Sequence, residues 1–210
     1  LSASHSDDKI AWYEHNATPT LDPIADLTID EDAPEQSVGL AGIGAGGSEI
    51  QPLRVTASSD NTGLIPHPVV TYSNSSGDLT FTPGANQHGI STITVTVEDG
   101  GLDGDLATTG DNDSFSQTFD VTVTPINDQP TLNTLDDLTI DEDATEQTVG
   151  LTGITAGGGE SQPLSVTATS SNPNLIPNPA VGYTSDELIG SLALTPAADQ
   201  SGTATITVTV

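Results

Sequence analysis

Thr92-Ile-Thr-Val-Thr-Val97 decides the fold. Ile93, Val95 and Val97 alternate with threonines, and a period of two puts successive side chains on opposite faces of an extended chain. β-Branched residues on one face and threonine on the other read as a half-buried strand with one packed side and one wet side. The same hexapeptide ends the sequence as Thr205-Ile-Thr-Val-Thr-Val210, 205 − 92 = 113 residues further on. Moving outward, Asp26-Leu-Thr-Ile-Asp-Glu-Asp32 returns as Asp137-Leu-Thr-Ile-Asp-Glu-Asp143 at an offset of 137 − 26 = 111. That offset also pairs Val38-Gly-Leu40 with Val149-Gly-Leu151, Gln51-Pro-Leu53 with Gln162-Pro-Leu164, Leu64-Ile-Pro66 with Leu175-Ile-Pro177, and Tyr72 with Tyr183. The second copy gains its two extra residues around Asp186-Glu187. The chain is an internal duplication, and each copy is read as a unit.

Within the first copy, alternating or β-branched runs fall at about 24–30, 36–41, 52–59, 68–73, 78–82, 90–98 and 115–124, separated by Gly, Pro, Asn and Asp clusters that break regular structure. Seven short strands in about 110 residues predict an all-β fold of antiparallel β-sandwiches in tandem. No stretch carries a helical period. Laid on the second half at the 111 offset, Ile10, Trp12 and Asn16 fall on Val121, Val123 and Asn127. Residues 1–18 therefore read as the last strand and linker of a preceding repeat, 19–127 as repeat 1, and 128–210 as repeat 2 without its final strand. Tyr72 and Tyr183 are expected to plug the two sandwiches. The glycine run Gly42–Gly47, echoed at Gly157–Gly159, is read as a turn, because no Lys or helix follows it to make a phosphate cradle.

Three segments carry a family resemblance: Thr28-Ile-Asp-Glu-Asp32, the strand Thr92-Ile-Thr-Val-Thr-Val-Glu-Asp-Gly-Gly101, and the joint Val121-Thr-Val-Thr-Pro-Ile-Asn-Asp-Gln-Pro130. Together they resemble the tandem cadherin-like repeats of large bacterial surface and secreted proteins. The resemblance covers nearly the whole chain. It implies Greek-key sandwiches of the immunoglobulin and cadherin kind, arranged as calcium-stiffened rods that serve adhesion, surface layers or spacing. Two departures leave the number of ions and their ligand sets open: Gln129 stands where cadherin linkers carry another Asp or Asn, and no Asp-Arg-Glu segment occurs.

Charge makes a separate case for calcium. The 210 residues hold 30 Asp and Glu against 2 Lys and Arg, a formal net charge of −28. Phosphate-rich partners need a basic face, so nucleic acid and anionic membrane are excluded, and no apolar run approaches the ~20 residues of a membrane span. Ca²⁺ takes 6–8 oxygen ligands from carboxylates, carbonyls and amides. The candidates are Asp30, Glu31 and Asp32 after the first strand, Glu98 and Asp99 at the end of the sixth, Asn127 and Asp128 in the joint, and Asp141, Glu142 and Asp143 in copy two. Like charges this dense repel unless a cation lies among them. The competing reading takes the same acids as solvated loop charge that keeps the protein soluble. A further acidic excursion, Asp99–Asp105 with Asp111-Asn-Asp113, fits no EF-hand spacing and reads as a flexible loop rather than a site.

Enzyme chemistry finds no support in the residues. His5, His15, His67 and His88 lie at no ligand-like spacing, no His-Glu-x-x-His occurs, and cysteine is absent. The reading is a non-enzymatic, extracellular structural or adhesive repeat module. Its expected partners are other copies or neighbouring repeats end to end, or a cell-surface protein or polysaccharide. The acidic, Ser/Thr/Gly-rich texture favours the extracellular setting over a halophilic cytoplasm, while residues 1–18 lack the apolar core of a signal peptide. Two alternatives stand beside this reading. One is a carbohydrate-binding accessory module using Trp12 and Tyr13, although aromatics are only 3% of the chain. The other is a filament subunit in which residues 9–16 complete the open edge of the next copy.

Overall fold

The computed structural model describes residues 2–6, 9–13 and 15–210, with side chains from His15 onward. The described residues contain fourteen strands and no helix, so no helix is long and apolar enough to cross a membrane. The chain divides into two compact units, Leu1–Ile126 and Asn127–Val210.

In the first unit the alternating runs become strands close to their expected bounds: β3 Leu27–Asp30, β4 Gln36–Ala41, β5 Leu53–Ser59, β6 Val69–Ser73, β7 Ser76–Phe81, β8 Gly89–Asp99 and β9 Ser114–Thr124. They form a four-stranded sheet of order β3-β9-β8-β5 and a three-stranded sheet of order β4-β7-β6. Consecutive strands change sheet between β3 and β4, β4 and β5, β5 and β6, and β7 and β8, which gives two layers with one core between them. The inward residues of both sheets meet in one cluster containing Leu40, Leu79, Phe81, Val55, Ile93, Val95, Val97, Phe119, Val121 and Val123. Every second residue of β8 is buried, so the threonine face is the wet one. One pairing departs from the antiparallel expectation: β3 runs parallel to β9, with Leu27 opposite Val121 and Asp30 opposite Thr124. The chain must cross the whole sandwich between these strands, and a long crossover allows the parallel sense.

The second unit repeats part of this plan. Strands β10 Gln147–Thr152, β12 Ala180–Gly182 and β13 Ile189–Leu194 form a sheet of order β10-β13-β12, with Gln147 opposite Leu194 as Gln36 is opposite Phe81. Strands β11 Thr167–Ser170 and β14 Ile206–Thr209 pair only with each other. Residues 138–141 have the sequence of β3 but form no strand.

Near the start, β1 Ser2–Ser6 pairs antiparallel with β2 Lys9–Tyr13, Ser4 lying opposite Ala11. The expected free strand over residues 9–16 is thus corrected: residues 9–13 pair within their own chain. The side chains of Trp12 and Tyr13, on which the carbohydrate expectation rests, lie outside the described residues. Tyr72 is also not a core plug. It is 39% exposed, and its hydroxyl donates to the Leu53 carbonyl. Tyr183 does pack against the second core.

Candidate functional site

The register of β8 separates the acids that the sequence grouped together. Gly89 lies opposite Val123 and Glu98 opposite Ser114, so β3 and the end of β9 sit at the Gly89 end of the sheet while Asp99 ends the other. At about 3.4 Å per residue, the ten steps from Gly89 to Asp99 span about 34 Å. Asp30, Glu31 and Asp32 therefore occupy one pole of the first sandwich, and Glu98 and Asp99 the opposite one. The structure does not gather these five into one place.

At the pole of Asp30, Glu31 is only 3% exposed. Its Oε1 accepts the Ile126 N–H at 2.8 Å, and His88 Nδ1 stands 3.7 Å from Oε2. Asp30 Oδ1 accepts the Thr124 hydroxyl at 2.7 Å, which ties the end of β3 to the end of β9. Asp32 has φ 58° and accepts the Asn86 N–H at 2.9 Å. Asp143 repeats this with φ 61° and an acceptor contact to the Asp199 N–H at 2.9 Å. Its neighbours Asp141 and Glu142 are exposed.

The opposite pole is built around Asp99, which is 0% exposed. Its Oδ1 accepts three N–H groups: Gly101 at 3.0 Å, Asp113 at 2.9 Å and Asn16 Nδ2 at 3.0 Å. Its Oδ2 is buried with no hydrogen-bond partner. Asn16 Nδ2 also donates to the Asp111 carbonyl at 3.0 Å, and Asn16 Oδ1 accepts Gln51 Nε2 at 2.8 Å. Gln51 Nε2 reaches Glu49 Oε2 at 3.0 Å, and the Ala17 N–H donates to both Glu49 oxygens at 3.1 and 3.2 Å. Thr18 Oγ1 completes the strap by donating to Asp113 Oδ2 at 2.9 Å. Residues 16–18 are thus laced across the pole, and the oxygen of the Gln51 amide is buried without a partner beside them. An open cleft of about 490 Å³ adjoins the network, lined by His15, Glu49, Ile50, Gln51 and the 101–104 turn.

Glycine makes this close approach feasible. A side chain at Gly46, φ 88°, would bring Cβ to 2.2 Å from the Thr18 carbonyl oxygen. Gly157, 111 residues later with φ 94°, would bring its Cβ to 2.4 Å from the Gln129 oxygen. The turn expected of both glycine runs is therefore also a seat for the segment entering each sandwich.

The 99–113 excursion is not the flexible loop expected from its composition. Asp111 Oδ2 accepts the Leu102 and Asp103 N–H groups at 2.8 and 3.2 Å, Asp103 Oδ1 accepts the Asp105 N–H at 2.9 Å, and Asp105 Oδ1 accepts the Ala107 N–H at 2.9 Å. These local aspartate turns fold the segment onto Asp99. Glu98 faces the other side of the sheet, where the Arg54 guanidinium and Asn112 Nδ2 hold its carboxyl below the usual carboxylate range.

The glutamate and glutamine contacts of this pole recur at the start of the second unit, whereas Asn127 is exposed and its Nδ2 donates to the Asp128 carbonyl at 2.9 Å. The Asp128 N–H donates to Glu160 Oε2 at 3.2 Å, and Gln162 Nε2 donates to the same oxygen at 3.0 Å. Asn127, Glu160 and Gln162 are the counterparts of Asn16, Glu49 and Gln51. The partners at this pole that sequence reasoning missed are Asn16, Glu49, Gln51, Asp111 and Asp113. Three of them were signalled by recurrence at the 111 offset.

Calcium chemistry fits the Asp99 pole. A buried carboxylate with one unpaired oxygen carries a desolvation cost. The orphan atoms here, a carboxylate oxygen and an amide oxygen, are ligands that a hard cation takes. Among the described residues no three Asp, Glu or His side chains are grouped to hold a metal by themselves. Amide and main-chain oxygens would have to complete any coordination shell.

No family model and no curated protein matches the chain. Solved structures resemble it at low similarity. The titin domains Z1Z2 in complex with telethonin share 13% identity over 93% of this chain and 95% of theirs, with a TM-score of 0.36. The tandem Ig repeats of Dlar share 10% over 85% and 82%, TM-score 0.34. Domains 5–6 of the S-layer protein SbsC share 18% over 90% and 91%, TM-score 0.31. At these values the likeness assigns neither activity nor partner, and the fold stands on the chain's own strand pairing.

Proposed function

We propose that the chain is a non-enzymatic, extracellular spacer or adhesive module of tandem β-sandwich repeats, and that calcium binds where the entering segment crosses the first sandwich at Asp99. The observation that carries this reading is Asp99 itself: fully buried, with Oδ2 unpaired, beneath a strap formed by Asn16, Ala17 and Thr18. Asp99, Glu49, Gln51 and the Asp111 carbonyl would hold the ion together with water. When bound, the ion would neutralise the carboxylates and lock residues 16–18 to the pole. Stiffness of the entry joint would then depend on calcium. Of the residues first considered, Asp99 belongs to this site, Glu98 flanks it, and Asn127 and Asp128 begin the second unit, where only the Glu160 and Gln162 contacts recur. Asp30, Glu31, Asp32, Asp141, Glu142 and Asp143 lie away from it, and Asp30, Glu31, Asp32 and Asp143 already bond to the chain.

Calorimetric titration of the 210-residue chain with CaCl₂ tests the site. The expected result is saturable binding that Asp99→Asn abolishes and Asp30→Asn leaves in place. No heat of binding, or equal binding by both variants, would refute the assignment.

A further inference from the structure

We infer that the crossover between β5 and β6 in the first unit is a latch released by acid, and that the matching crossover of the second unit is not. The inference is independent of calcium. It rests on two hydrogen bonds that both units make, through titratable side chains in the first and through side chains that do not titrate in the second.

In the first unit the chain leaves β5 at Ser59 in one sheet and enters β6 at Val69 in the other. His67 stands between Pro66 and Pro68, which restrict its backbone. Its Nδ1 accepts the Ser59 N–H at 3.0 Å, which ties the end of the crossover back to its start. A main-chain N–H can only donate, so Nδ1 holds a lone pair and the latched ring is neutral with its proton on Nε2. Asp60 makes the second bond, its Oδ1 accepting the Thr92 N–H at 2.9 Å and the Ser91 hydroxyl at 3.0 Å. The Ser91 and Ser59 hydroxyls, both buried, meet at 2.8 Å. Between the two bonds the crossover delivers Leu64 and Ile65, 3% and 0% exposed, to the first core.

The second unit makes the same bonds with other chemistry. Asn178 stands in place of His67 and Ser171 in place of Asp60. Asn178 Oδ1 accepts the Ser170 N–H at 2.9 Å, and Ser171 Oγ accepts the Thr205 N–H at 2.8 Å. Neither acceptor changes with pH.

Protonation of Nδ1 would set one donor against another, so the bond to Ser59 and a charged ring exclude each other. Proton uptake therefore accompanies release, and by linkage falling pH favours the released crossover. Imidazole is the side chain that changes charge between pH 5 and 8. Asp60 is the other titratable group of the crossover; its carboxylate attracts an imidazolium but gives the Ser59 N–H no acceptor. On the neighbouring strands, Arg54 pairs with Glu98 at the far end of β5, the Tyr72 hydroxyl bonds to the Leu53 carbonyl, and His88, just before β8, stands at Glu31.

Amide exchange of the whole chain in chelator, followed from pH 8 to pH 5 and expressed as protection factors, tests the latch. The Ser59 amide should lose protection about fivefold, the effect of one net hydrogen bond, while the Ser170 amide keeps its protection. His67→Asn should make Ser59 behave as Ser170 does, and Asn178→His should transfer the response to Ser170. Three results would each overturn the proposal: equal responses at Ser59 and Ser170 in the unmodified chain, a Ser59 response that survives His67→Asn, or no response at Ser170 in Asn178→His.

Discussion

The two units share a sequence plan, yet only one of their two sheets keeps its burial in both. In the sheet of β4, β7 and β6, Leu40 and Leu79 are 2% and 0% exposed; their counterparts in β10 and β13, Leu151 and Leu192, are 0% and 2%. The opposite sheet differs throughout. In the first unit it is four strands with a fully buried row on β8, and in the second it is the pair β11-β14 with that row half open. Identical residues therefore do not dictate their own burial. The central strand β9 covers its neighbours on both sides, and without such a strand Leu-Thr-Ile-Asp is an exposed segment. Strand propensity is a weak force beside cross-strand packing.

The largest expected effect breaks this contrast by making the first unit resemble the second. Phe119→Ala removes an aromatic side chain from the core and should cost about 3–5 kcal/mol, with 27–30 losing exchange protection, as read by urea unfolding and amide exchange. The paired substitutions Ile29→Ala and Ile140→Ala sharpen it further. The first should cost about 2–4 kcal/mol as a core deletion, and the second less than half of that, because Ile140 is only partly buried. Equal losses would show that burial on this sheet does not depend on β9.

Glycine substitution probes what the units share. Gly46→Ala and Gly157→Ala each place a Cβ against the entering segment at positive φ. Each should destabilise its own unit by about 1–3 kcal/mol, measured as separate transitions in denaturant. A marked difference between the two would mean that the entry seats are not equivalent.

The smallest effect concerns charge. Arg54 faces Glu98 in the first unit, and Ser165 occupies the corresponding position in the second. Glu98 is held below its usual range first by the Arg54 hydrogen bond and then by Asn112. A depressed carboxyl pKa stabilises the fold above the unfolded value, and the contribution is lost as pH falls through the folded one. Arg54→Ser should therefore cost no more than about 1 kcal/mol at neutral pH, as exposed pairs do. The difference from wild type should shrink as acid protonates Glu98, as followed by melting between neutral and acidic pH.

Much of the fold was legible because alternation reports strands directly: Thr92–Val97 lies within β8 and Gln36–Ala41 is β4. The parallel sense of β3 was not legible, since Leu27–Asp30 carries no mark of its partner's direction. The site was half legible. Asp99 stood out as an acid at a strand end, but only the register showed that Asp30–Asp32 lie at the other end of the same sheet. Glu49 and Gln51 sit beside a glycine run whose turn reading was right but incomplete. Their recurrence as Glu160 and Gln162 was the available signal, because a turn alone requires neither side chain.

Melting of the first unit in calcium and in chelator, for wild type and Asp99→Asn, tests the central claim most directly. Calcium at one hundred times its dissociation constant should add about 2.7 kcal/mol, which raises the midpoint of a domain this size by about 10 °C or more. Asp99→Asn should remove that increment. In chelator it should be no less stable than wild type, because it replaces a buried charge that has one unpaired oxygen. Identical midpoints with calcium and with chelator in the wild-type chain would contradict the account.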